Sequence, residues 1–182
     1  MFMNLLQRSL DLPSKSHIIS QPFIDFLART YRLDHNGYHG LEHWLRVLIN
    51  GRIIAAVTDA DLDVIEYFSV LHDVMREDEQ KDIHHGNRAA EFTTQIRYDW
   101  VHLTDHQFEQ LLEAVQYHSF GRLSRDVTVQ CCWDSDRLDL GRVGIRPNPT
   151  YLGTRVARDT NVVEEAYERS KLRFVNYDFR VR

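Results

Sequence analysis

The chain has 182 residues, 43% hydrophobic and 27% charged, with a formal net charge of −5. That balance suits a single globular domain with a sizeable core, and the negative charge excludes a surface built to coat nucleic acid. No apolar stretch approaches the ~20 residues needed to span a bilayer, and Met1–Arg8 lacks the basic start and long apolar run of a secretory leader, so a cytoplasmic protein away from membranes is expected.

Taken in order, the elements read as helices joined by short loops. Leu5 to Leu12 is a short amphipathic start, ended by Pro13. Ser20 is placed to cap a helix with Pro22 in its first turn, and Phe23, Phe26, Leu27 and Tyr31 repeat at helical spacing up to Asn36-Gly37. From Tyr38, the residues Leu41, Trp44, Leu45, Val47 and Leu48 form a wide apolar stripe that Ile53 to Ala56 extends, with a bend expected at Gly51. Asp59 or Asp61 caps a helix from Leu62 to about Met75, and Arg76–Asp82 reads as a polar loop. A helix resumes near His84. Thr104 and Gln107 have the spacing of a capping box for a helix that ends at Gly121. Val127 to Leu140 is read as another helix, stopped by Gly141. Gly144 to Pro149 is extended, and a last helix runs from about Asn161 to Leu172. Alternating β-branched patterns are nearly absent, and Phe174–Tyr177 is too short to count as a strand, so the predicted class is all-α, a single compact helical bundle.

Cys131 and Cys132 are sequence neighbours with no CxxC pair, and read as small buried residues. Histidine is the unusual feature, with 10 in the chain, several inside apolar helical patterns. Each has an ordinary explanation when taken alone. His43 in Leu41–Val47 would be a hydrogen-bonded core residue. His118 would be a helix-end residue favoured by the dipole, and His85 a polar helix start. His72-Asp73 would be a coincidental pair closing the apolar run Val64–Leu71. Aspartates at 134, 136 and 139 among Cys, Trp and Leu are harder to place on one solvated face, because aspartate is a poor helix former. His39 precedes His43 by four residues and shares its helical face. Taken together, His43, His72-Asp73, His85, His118 and Asp136 each sit near a helix end or on an apolar face. In a bundle, such positions can converge on one interior cavity and offer imidazole nitrogens and carboxylates to a metal.

The order H…HD…H…H…D resembles the HD-domain superfamily of metal-dependent phosphohydrolases, over about residues 38–141. The resemblance is carried by His43-Trp44-Leu45-Arg46-Val47, by Leu71-His72-Asp73-Val74, and by Ser135-Asp136-Arg137-Leu138, which is similar to the family's closing Ala-Asp-Arg-Leu segment. It implies an HD-type bundle. In that fold His43, His72, Asp73 and Asp136 hold one divalent metal, and His85 and His118 add ligands for a second, with Asp73 bridging and His84 the fallback for His85. Mn, Fe, Co, Ni, Zn and Mg all remain open. The implied activity is hydrolysis of a nucleotide or other small phosphate ester, monoester or diester, by a metal-activated hydroxide.

Tyr38-His39-Gly40-Leu41-Glu42-His43 has the spacing seen in cyclic-nucleotide phosphodiesterases, which makes His39 the implied general acid. Residues 76–81 do not match that family. The Gly-Tyr-Pro element of cyclic-di-GMP-degrading relatives is also missing. Arg76, Arg88 and Arg137 are the arginines nearest in sequence to the ligands and are the expected phosphate contacts. The same six ligands also occur in mixed-valent di-iron oxygenases of HD type, and a non-catalytic ligand-binding helical domain is the third reading. Residues 142–182 are expected as an extension that packs across the bundle and offers a homodimer surface.

Overall fold

The structure, a computed structural model, describes residues 18–172, so the predicted helix at Leu5–Leu12 and the segment Phe174–Tyr177 lie outside the described residues. Eight α-helices and no strands are present among the described residues: α1 Gln21–Thr30, α2 Leu41–Ala55, α3 Leu62–Leu71, α4 His85–Gln95, α5 Arg97–Trp100, α6 Asp105–Tyr117, α7 Val127–Arg137 and α8 Thr160–Lys171. The all-α class is therefore observed. No helix among the described residues is long and apolar enough to cross a membrane.

Local chemistry sets most of the boundaries. The Ser20 hydroxyl accepts from the Phe23 amide and opens α1, with Pro22 in the first turn. Asp61, not Asp59, caps α3 through the amides of Asp63 and Val64. Thr104 and Gln107 form the predicted capping box at α6.

α3 organises the bundle. Every residue from Val64 to Leu71 is buried, because α2, α6 and α7 surround the helix and α1 touches it. A helix apolar on all sides must be enclosed in this way. Full burial of a side chain such as Phe68 contributes about 1.5–3 kcal/mol.

Three boundaries differ from the sequence reading. α2 runs unbroken through Gly51, which is there for space: a Cβ on it would stand 2.4 Å from Ile65 Cγ2, so its absence lets α2 and α3 approach. α3 stops at Leu71, short of Met75, which leaves His72 as its C-cap. α7 ends at Arg137 rather than Leu140. Gly141 lies inside the 3₁₀ turn Leu140–Val143, and the turn is stopped by Gly144 at φ +78°, a left-handed conformation suited to glycine. α8 packs on that 3₁₀ turn and on α2.

Candidate metal centre

Five helix ends meet at Asp73. His72 caps the end of α3, and Asp73 follows it in the turn where the helix has already stopped. This is how two sequence neighbours come to face one cavity. His43 lies in the first turn of α2, His85 opens α4, and His118 begins the 3₁₀ turn after α6. Asp136 is next to last in α7. His43, His72, Asp73, His85 and His118 are all buried.

The two oxygens of Asp73 face different histidine pairs. Oδ2 lies 3.5 Å from His43 Nε2 and 3.4 Å from His72 Nε2. Oδ1 lies 3.4 Å from His85 Nε2 and 3.5 Å from His118 Nε2. Within each pair the Nε2 atoms are 3.0 Å apart (His43–His72) and 2.9 Å apart (His85–His118). Asp136 Oδ1 joins the first group, 3.4 Å from His43 Nε2. Donors about 2.0–2.1 Å from one ion stand roughly 3–3.4 Å from each other, so both groups have the spacing of ligands around a cation.

The other ring nitrogens fix the tautomers. His72 Nδ1 donates to the Phe68 carbonyl (3.1 Å), His118 Nδ1 to the Val115 carbonyl (2.8 Å), and His85 Nδ1 to the Asp82 carbonyl. His43 Nδ1 donates to Asp139 (2.7 Å), whose other oxygen accepts from Arg46 Nε at 2.7 Å. Each imidazole therefore turns an unprotonated Nε2 toward Asp73 when it is neutral, the arrangement that second-sphere acceptors impose on metal-binding histidines. Two such lone pairs 2.9 Å apart repel unless a cation satisfies them. On this chemistry the site fits one or two divalent ions, and imidazole with carboxylate suits Mn, Fe, Co, Ni or Zn.

Electrostatics agree with that reading. Burial works against ionisation of Asp73, yet His72, His118 and His43 hold its carboxyl well below the usual range. Burial likewise opposes ionised Asp136, and His43 with Arg142 keeps it well below normal. Burial pushes His85 down to about 4 and also lowers His72. His43 is the exception. Burial and Arg142 disfavour its charge, but Asp136, Asp139 and Asp73 raise it to about 9, so a proton takes the cation's place there.

The remaining sequence expectations divide. His84 is exposed, leaving His85 as the inward residue. His39 is buried beside the site, its ring 6.1 Å from that of His43, and its Nδ1 meets Glu79 Oε2 at 2.6 Å. Burial pushes His39 down to about 3 and raises Glu79. Arg76 lines a cavity of about 580 Å³ that opens from the site, with Nη1 3.4 Å from Asp73 Oδ1. Arg88 does not line it. Its guanidinium is committed to the Met75 carbonyl and to Asp82, so the expectation of a phosphate contact there is corrected to a clamp on the 75–82 loop. Arg137 does line the cavity, but Nη1 and Nη2 donate to the carbonyls of Tyr151 and Arg122, so it braces the wall.

Arg142 was not anticipated. Its Nε donates to the Tyr38 carbonyl and its Nη1 to the Asp139 carbonyl, which sets Nη2 3.8 Å from Asp136 Oδ1 on the cavity floor. Its place three residues past Asp139, behind a glycine, was the only hint in the sequence. Asp134 and Asp139 are both fully enclosed rather than solvated. Asp134 accepts from Gln130, Gly153 and Thr154, and anchors the loop at 152–154.

Comparison with protein-family models, with curated proteins and with solved structures finds no match.

Proposed function

We propose that the chain is a metal-dependent phosphohydrolase of HD-domain type. The observation that carries this reading is the splitting of Asp73 between two histidine pairs whose Nε2 atoms converge at 3.0 and 2.9 Å. His43, His72, Asp73 and Asp136 would hold one divalent ion, and Asp73, His85 and His118 a second. When bound, the ions supply Lewis acidity toward a phosphoryl oxygen and water acidic enough to ionise near neutral pH.

The chain's own residues do the rest. Arg76 and Arg142, on the floor of the cavity, bind the phosphoryl oxygens that face away from the ligands. Their presence favours a phosphate ester over dioxygen as the reacting group, and so favours hydrolysis over the di-iron oxygenase alternative. His39 supplies the proton to the leaving oxygen from Nε2, since its Nδ1 is held by Glu79. Burial keeps His39 neutral, pushing its pKa down to about 3; a phosphate anion beside it would raise its proton affinity.

Metal analysis of the purified chain, with a phosphatase and phosphodiesterase screen in several divalent metals, tests the proposal. Phosphate release that disappears in Asp73→Ala, together with loss of both ions, is the expected result. Fewer than one bound ion under every loading condition sinks it, and O₂-dependent turnover with iron and no phosphate release transfers it to the oxygenase reading.

A further inference from the structure

The cavity over Asp73 changes character along its length. At its inner end stand Asp73, Asp136, His85 and His118, with Arg76 and Arg142 beside them. Its outer wall comes from the segment after α7, through Leu140, Ile145, Pro147, Tyr151 and Leu152. Two of these are large apolar side chains left in the open: Ile145 is 55% exposed and Tyr151 60%. Phe120, between the lining residues Ser119 and Gly121, is 53% exposed.

Isolated exposed hydrophobics are common, but several on the rim of one concave site mark a ligand surface. The outer wall also carries two cations, and both are already engaged: Arg137 donates to two carbonyls, and Arg146 is paired with Glu164 and lies over the Tyr167 ring, 4.4 Å from its centroid. The segment is rigidly mounted, because Asp134 at 0% exposure grips the amides of Gly153 and Thr154.

We propose that the substrate is a phosphate ester with one phosphoryl group and an uncharged, ring-bearing apolar organic part, seated against Ile145, Pro147 and Tyr151. The inner half of this assignment rests on the phosphohydrolase reading. The outer half rests on the wall alone. A polyphosphate would have to draw Arg137 from its carbonyls or Arg146 from Glu164, and a small polar alcohol would leave the apolar rim uncovered. The cavity volume of about 580 Å³ is that of a pocket for a single small organic molecule.

Calorimetric titration of the Mn²⁺-loaded chain with three non-hydrolysable probes tests this: methylphosphonate, naphthalen-1-ylmethylphosphonate and 3-phosphonopropionate. The naphthyl probe should bind at least about ten-fold more tightly than the methyl probe, from the apolar area it buries, and the carboxylate-tailed probe no better than methyl. Tyr151→Ala and Ile145→Ala should each remove most of the naphthyl advantage and change methyl affinity less than about two-fold, because neither side chain reaches the inner end. Equal affinity for all three, tightest binding of the carboxylate-tailed probe, or a naphthyl advantage that survives both substitutions overturns the assignment. Phosphate release from naphthyl phosphate and glycerol phosphate keeps the two proposals apart. A naphthyl preference in binding with no phosphate release from any ester refutes the hydrolase and leaves the ligand class standing. Equal release from both esters, with no preference in binding, does the reverse.

Discussion

The carboxylate of Asp139 touches two buried groups at once, His43 Nδ1 and Arg46 Nε, each at 2.7 Å. It never faces the cavity, yet it sets the tautomer of His43 and raises its basicity. Asp139→Asn should weaken metal binding about 10–100-fold, the usual cost of losing such a partner, as read by competitive metal titration. Unchanged affinity would remove Asp139 from the site's support. His43 also makes the metal-free protein sensitive to pH. Its pKa rises from 6.5 to about 9 in the fold, so the folded state holds that proton more tightly than the unfolded chain. The stabilisation is complete below pH 6.5 and is lost as pH climbs through about 9. A bound ion displaces the proton, so the loss seen in chelator should be absent with metal, and metal affinity should fall as pH drops below 9. Thermal melts across this range, with and without chelator, check the sign. Stability in chelator that rises with pH would contradict it.

At the scale of elements, the second histidine pair depends on how closely α4 meets the end of α6. A Cβ on Gly86 would lie 2.6 Å from the Gln116 carbonyl, a backbone atom that cannot swing aside. That contact puts His85 against His118. Gly86→Ala should push the two helices apart, lower stability by about 1–3 kcal/mol, and reduce bound metal from two ions to one with helix content kept. Metal stoichiometry with circular dichroism decides this, and two ions with an unchanged melt would refute it. The helix starts at Ser20, Asp61 and Thr104 were legible in the sequence because a cap is a contact between residues two or three apart. Helix ends were less legible. Gly51 invited a bend because sequence alone does not reveal that Ile65 needs the space. Gly141 invited a stop that Gly144 makes.

For the molecule as a whole, the bundle and the cavity wall are joined at Asp134. Four donors converge on it, from Gln130, the Gly153 and Thr154 amides and the Thr154 hydroxyl. Asp134→Ala should orphan them, destabilise the chain by roughly 3 kcal/mol and open residues 142–158 to protease, with α3 still protected. Limited proteolysis with mass mapping reads this, and a wild-type cleavage pattern would show that the wall is held elsewhere.

His43, His72 and His118 stood out in the sequence because their residue type clashes with apolar surroundings, whereas His85, and Asp136 rather than Asp134, were picked out by the resemblance to the HD-domain order. Periodicity and capping likewise settled the all-α class, since both act within a few residues. The tertiary structure decided which carboxylate oxygen faces which pair of histidines. It also decided that Arg142 rather than Arg88 stands at the site, and that residues 142–152 wall the cavity. A long arginine side chain goes where distant carbonyls and carboxylates hold it. Those partners come together only once α2, α7 and the C-terminal segment have packed.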